Sequence, residues 1–170
     1  MIYLMSGREG ELGLMAIAEM ARPMQIPILV DAAAEILTIP NVHQQEGATM
    51  VCYSGGKAIR GPQCAGLLLG PKNLMMSAWQ ASAPHHGPGR DNKVGREETM
   101  GMLAAVEAWI TTDHDAEWQK WLSWLNQIDQ QVPKVNGVTT EITEPRGLGN
   151  RSPRLSIMWN ADQLNVTGAE

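Results

Sequence analysis

The 170-residue chain predicts an α/β fold, built on a parallel or mixed sheet, followed by a bridging helix and an incomplete α+β unit. Three observations predict it. Two apolar strand-like runs, 26–31 and 49–53, are separated by a helix-sized gap. Strand and helix patterns alternate along the first hundred residues, as in sheets with crossover connections. At Arg96 the texture changes to long helical periodicity and then to two isolated strand candidates.

Each element has a local reason. Ile2-Tyr3-Leu4-Met5 reads as a strand already in progress. Residues 10–21 place Leu14, Ile17, Ala18 and Ala21 at helical spacing, and Pro23 stops the helix. Strand 26–31 follows, then a loop or short helix through Pro40 and Asn41 to Gly47. Strand 49–53 runs into the turn Ser54-Gly55-Gly56-Lys57, and Gly61-Pro62 marks another turn before the apolar strand 64–69. A helix is expected over 73–82 and a Pro/Gly-rich loop over 83–95. Glu97 and Glu98 open the next helix with the charge its dipole favours, and Met100, Ala104 and Ile110 continue its apolar pattern. From about residue 115 a second helix puts Trp118, Trp121, Leu122, Leu125 and Ile128 on one face, expected to be core packing. Strands 138–142 and 154–159 close the chain. A boundary falls in the 90–112 region, giving units 1–95 and 96–170. Both termini read as cut, which points to a piece of a longer protein.

Composition excludes several functions. A net charge of −5, with Lys and Arg scattered, offers no basic stripe for nucleic acid. No stretch is apolar enough to span a bilayer, and the N-terminus lacks a signal-peptide pattern. The cytoplasm is the default compartment. Cys52 and Cys64 sit in apolar segments and are expected to be buried free thiols. His85-His86 is a poor metal pair, since adjacent side chains rarely converge on one ion, and no metal is expected. His43 and His114 are isolated and read as structural or solvated. Gly55-Gly56-Lys57 is not a phosphate-binding P-loop, because Val51 and Ala58 stand where that motif needs glycine and Ser/Thr. Gly87-Pro88-Gly89 does not extend to a dinucleotide fingerprint, and no nucleophile elbow is present.

What remains is Asp31 and Lys57, each at the carboxyl end of an apolar run, where open α/β sheets bind ligands. A lysine at a strand end is commonly just solvated. A carboxylate and a lysine delivered to one edge are also what pyridoxal phosphate requires: an amine for the Schiff base and an acid for the pyridinium nitrogen. Arg60 is a positive neighbour that would lower the lysine pKa. Ser54 and the glycine-turn N–H groups could hold a phosphate, and the small Ala32 and Ala33 leave room for a flat ring.

These residues carry a resemblance. Asp31-Ala-Ala-Ala-Glu35, Cys52-Tyr-Ser-Gly-Gly-Lys-Ala-Ile-Arg-Gly-Pro-Gln63 and Gly66-Leu-Leu-Leu-Gly70 resemble the fold-type-I pyridoxal phosphate enzymes. The similar branch is that of bacterial selenocysteine synthase and the D-glucosaminate-6-phosphate ammonia-lyase group. Gly89-Arg90 through Lys93-Val-Gly-Arg-Glu-Glu98 resembles a segment of the same branch, with Arg96 in place of the more usual lysine. The resemblance implies that 1–95 is the C-terminal part of the cofactor-binding large domain, and 96–170 the bridging helix and a partial small domain. It implies catalytic roles for Lys57 and Asp31, with Ala33, Ser54 and Gly56 also at the cofactor. Arg60, Gln63, Arg90 and Lys93 are weaker candidates for substrate or phosphate. It implies a lyase performing α,β-elimination, or β-replacement, on an amino acid or amino-sugar acid. The alternatives are a selenocysteine synthase-like transferase, or a truncated relative that binds no cofactor. Sites of this family form between subunits, so self-association, as a dimer or higher homo-oligomer, is expected.

Overall fold

The two apolar runs become the centre of a four-stranded sheet in the computed structural model, which describes residues 1–6, 12–145, 147–149 and 152–165. The strands are β1 (Ile2–Met5), β2 (Ile28–Asp31), β3 (Met50–Ser54) and β4 (Gly66–Leu69), in the spatial order β1-β2-β3-β4. β1 pairs with β2, and β2 with β3, in parallel, with Met5 opposite Asp31 and Asp31 opposite Cys52. The crossovers carry α1 (Leu14–Ala21) and the one-turn α2 (Val42–Gln45). Residues 10 and 11 of the expected first helix lie outside the described residues.

β4 makes the sheet mixed, the second of the two expected arrangements, and runs antiparallel to β3. The cause is the 55–65 connection, which contains no helix. A parallel return needs a crossover of roughly a dozen residues or more, usually helical. The strand also begins two residues later than expected, which corrects the reading of Cys64: its side chain is exposed in the turn before β4, while Cys52 is half-buried on β3.

Alternation sorts the sheet into two faces. Ile28, Val30, Val51 and Tyr53 point into the core, with Ile28 and Val51 fully enclosed. Side chains of this kind contribute about 1.5–3 kcal/mol each on burial. The opposite face carries Tyr3, Met5, Asp31, Cys52 and Ser54, and Tyr3 and Met5 are exposed there. At Gly47, φ is +109°, and a Cβ would stand 2.5 Å from the Ala18 Cβ, so the chain turns into β3 only with glycine.

After α3 (Lys72–Gln80) and the 81–95 loop, α4 (Arg96–Thr111) packs back on the sheet unit. The face it buries is not the expected one. Met102, Ala105, Val106 and Trp109 join the core, whereas Met100 and Ile110 are 62% and 59% exposed. The hydrogen bond Trp109 Nε1–H to the Leu37 carbonyl, 2.8 Å, marks the buried stripe. Trp109→Phe removes that donor and leaves a buried carbonyl unpaired. A loss of about 1–3 kcal/mol is expected, read as a lower urea midpoint at unchanged slope; an unchanged midpoint would assign Trp109 no role beyond filling space.

Two compact units result: Met1–Thr111 with Leu148–Asn150, and Thr112–Gly147 with Arg151–Glu170. α4 therefore groups with the sheet. In the second unit, α5 (His114–Asp129) is N-capped by Asp113, whose carboxylate accepts from the Ala116 N–H at 2.9 Å. It packs on the antiparallel pair β5 (Val138–Thr143) and β6 (Arg154–Trp159). Trp118, Trp121, Leu122 and Leu125 are half-buried, as a packing face requires, and their neighbour Ile128 is exposed. The chain continues through a short α6 (Ala161–Leu164). Among the described residues no helix is long and apolar enough to cross a membrane.

Candidate active site

Asp31 is the last residue of β2, and Lys57 follows the last residue of β3 by three positions. Because β2 and β3 are parallel neighbours, both side chains belong to the same sheet edge. Ser54 closes β3 on the face that carries Asp31 and Cys52. The chain thus delivers a carboxylate, a primary amine and a hydroxyl to one edge.

The turn holding Lys57 is closed by backbone bonds. Gly55 N–H donates to the Ala65 carbonyl at 2.9 Å, and Gly61 N–H donates to the Gly55 carbonyl at 2.7 Å. A Cβ on Gly55 would meet the Pro62 and Ala65 carbonyl oxygens at 2.6 and 2.7 Å. On Gly56 it would meet Gln63 at 2.6 Å. The glycines are therefore needed to fold the turn against its own return strand, a reason independent of any ligand. Met102 and Ala105 of α4 support the same turn beside Gly55 and Gly61. Lys57 itself is exposed.

Asp31 is held in place on both oxygens. Its Oδ2 accepts a short hydrogen bond from the Tyr3 hydroxyl, and its Oδ1 accepts from the Ala33 N–H at 3.0 Å. The Tyr3 bond, the Ala33 N–H and the charge of Lys57 together hold the carboxyl below its ordinary range, against a smaller opposing effect of partial burial. The Tyr3 phenol is correspondingly pushed up by the bond it donates to Asp31. Cys52 lies beside Asp31 on β3, and burial, then the Asp31 charge, push its thiol up.

Beneath this edge lies a buried polar layer that sequence reasoning missed. His43 Nε2 and Glu35 Oε2 are 2.5 Å apart, with both residues buried. Asn41 Nδ2 donates to the Tyr53 hydroxyl at 2.8 Å. Burial opposes ionisation of Glu35, but hydrogen bonds from His43 and Ser6 outweigh it and lower the carboxyl below its ordinary 4.5. A lowered folded-state value means stabilisation that is complete above the unfolded-state pKa and is lost as pH falls through the folded one. Glu35→Gln is expected to cost about 1.5–3 kcal/mol at neutral pH, the worth of a hydrogen bond to a charged group, and to flatten the decline in stability below pH 4.5. Parallel acid-unfolding curves for the two proteins would contradict this.

The remaining candidates are spread more widely. Ala33 is half-buried and contributes its N–H to Asp31, while Ala32 is fully enclosed and its side chain cannot line a ring site. Arg60 is exposed at φ +61°, a left-handed conformation in the turn after Lys57. Gln63 packs against Gly56. Arg90 is tied within its own loop, its guanidinium donating to the Pro84 carbonyl at 2.7 Å, and Lys93 is exposed on the same loop. His85 packs edge-on against Trp79, with ring centroids 4.3 Å apart. Tyr3 had a faint signal in the sequence, since it alternates with Ile2 and Leu4 and so leaves the core face. Its partner could not be read, because a crossover hides strand register.

Fold and sequence together define the class: the architecture is that of the fold-type-I pyridoxal phosphate enzymes. Within that class, the chain is 26% identical over 163 residues to D-glucosaminate-6-phosphate ammonia lyase of Salmonella typhimurium (strain 14028s / SGSC 2262), covering 96% of this chain and 41% of the relative. A solved structure of D-glucosaminate-6-phosphate ammonia-lyase aligns with a TM-score of 0.74 at 25% identity, covering 96% of this chain and 42% of that one. A 5'-C-glycyluridine monooxygenase-decarboxylase of Streptomyces sp is 27% identical over 119 residues, 70% of this chain and 28% of the relative. No protein-family model matches. The chain spans 41% or less of the length of these curated relatives.

Proposed function

We propose that this chain carries the lysine-and-acid half of a pyridoxal phosphate site, in an enzyme that eliminates across Cα and Cβ of an amino acid or amino-sugar acid. The observation that carries the reading is the delivery of Asp31 and Lys57 to one edge by parallel neighbouring strands. The donor set fits the cofactor: a carboxylate kept ionised suits a ring N–H, an exposed primary amine suits an aldehyde, and Ser54 suits a phosphate oxygen. Bound there, the cofactor supplies an electron sink for the substrate Cα. Asp31 would pair with the ring nitrogen and favour its protonated form. Lys57 Nζ would anchor the cofactor and hold or move the proton at Cα. Ser54, the Gly56 N–H and the Ala33 backbone would border the cofactor; Arg60, Gln63, Arg90 and Lys93 would be the groups available to an anionic substrate.

The name of the ammonia-lyase relative supports elimination of an amine from an amino-sugar acid as the reaction class. A tRNA-dependent transferase is less well supported, since a net charge of −5 provides no basic surface. A second reading, a relative that folds without binding cofactor, is favoured by the exposure of Lys57 and the enclosure of Ala32. Exposed Tyr3 and Met5 on the open sheet face, with Met100, Leu103 and Ile110 on α4, support self-association as a homo-oligomer. A cytoplasmic setting fits the two free cysteines. Adding pyridoxal phosphate and recording the visible-edge absorbance separates the readings. A saturable band that borohydride bleaches is expected; a spectrum that is only the sum of its components would leave the non-binding relative standing.

A further inference from the structure

We propose that Tyr3 is a positioning residue of this site, fixing the orientation of the Asp31 carboxylate for its partner. The inference rests on the proposed cofactor reading for what that partner is, but the Tyr3–Asp31 link stands on geometry. Tyr3 comes from β1, two residues before the position that faces Asp31 in the register, and on the same side of the sheet. A phenol reaching diagonally across two parallel strands is within the range of aromatic side chains. Its hydroxyl takes Oδ2 while the Ala33 N–H takes Oδ1. The carboxylate is thereby restrained from two directions, by a neighbouring strand and by its own following turn. Each oxygen retains a lone pair, so the acid still accepts a ring N–H.

The surroundings make Tyr3 a device of the site, not of the core. Its side chain is 54% exposed, so the hydroxyl is not paired there to satisfy burial. The core face of β1 is supplied by Ile2 and Leu4. The ionisable groups around Asp31 are Tyr3 from β1, Cys52 from β3 and Lys57 from the turn after β3. Of these, Tyr3 hydrogen-bonds the carboxylate, Cys52 stands opposite Asp31 on β3 and Lys57 acts by its charge. Removing the phenol hydroxyl frees the carboxylate to rotate and weakens the restraint on its ionised form.

Tyr3→Phe, which keeps the ring and the exposed position, tests this in two measurements on the whole chain. Carbon-detected NMR titration of the Asp31 carboxyl, without cofactor, is expected to show its midpoint moving up in the variant toward an ordinary aspartate. Titration with pyridoxal phosphate is expected to give an affinity about 3- to 10-fold weaker, the size of one hydrogen bond, with covalent loading at saturation unchanged. An unmoved Asp31 midpoint, or unchanged cofactor affinity, overturns the proposal. If wild type takes no cofactor but the Asp31 midpoint still moves, the cofactor reading fails while the hold of Tyr3 on Asp31 stands.

Discussion

Lys57→Ala is expected to yield a folded chain that retains no pyridoxal phosphate after borohydride reduction, where wild type is expected to retain it covalently. The expectation follows from position. Lys57 is exposed in a turn whose shape is set by Gly55, Gly61 and the bonds to Ala65, none of which involves the lysine side chain. Truncating it therefore leaves Val51, Tyr53 and Ile59 packed as before, and the unfolding midpoint should be nearly unchanged. What is lost is the single amine that parallel pairing brings to the edge beside Asp31. On the proposed reading the same change would also remove the group that moves the proton at Cα. Turnover should fall by roughly 10²–10⁴-fold, the range of a positioned acid–base group. Full retention of reduced cofactor in the variant would show that another amine carries it.

Asp31→Asn separates loading from chemistry. The asparagine Oδ1 can still accept from the Ala33 N–H, and its Nδ2 can donate to the Tyr3 hydroxyl oxygen in place of the bond that Asp31 Oδ2 accepts, so the local geometry survives. Covalent loading on Lys57 should persist. A neutral amide no longer holds the ring nitrogen protonated, and the cost appears when charge develops in the transition state. A fall in turnover on the order of 10²–10³-fold is expected, comparable to loss of one preorganised electrostatic partner. The pH dependence has a definite sign. Because the Tyr3 bond, the Ala33 N–H and Lys57 lower the Asp31 pKa, the wild-type carboxylate stays ionised down to and below its ordinary 3.8. The advantage of wild type over Asn should therefore be constant through neutral pH and narrow only under strongly acidic conditions. Equal turnover in the two proteins would remove Asp31 from its assigned role.

The sequence displayed the sheet through composition alone, because β2 and β3 are apolar, short and bounded by Pro27, Gly47 and Gly55. It displayed Asp31 and Lys57 because both break apolar runs at their ends. The direction of β4 was not legible from its own residues. Gly66-Leu67-Leu68-Leu69 suits either orientation, and the helix-free 55–65 connection decides it. The face of α4 was ambiguous for a related reason: apolar residues such as Met100, Leu103 and Ile110 flank the Met102–Trp109 stripe, and only tertiary contact chooses between them. The buried Glu35–His43 pair and the Tyr3–Asp31 bond depend on residues 8 and 28 positions apart in the chain. No local periodicity reports such pairs, since their meeting is fixed by loop geometry in one case and by strand register in the other.

The most direct test of the central claim is a peptide map. The chain has five lysines, at positions 57, 72, 93, 120 and 134. After incubation with pyridoxal phosphate, borohydride reduction and digestion, mass spectrometry locates the phosphopyridoxyl group. A site formed by the edge of β2 and β3 predicts saturable modification of Lys57, ahead of the four other lysines at low cofactor concentration. Modification spread over all five in proportion to their exposure, or absent from Lys57, would contradict it.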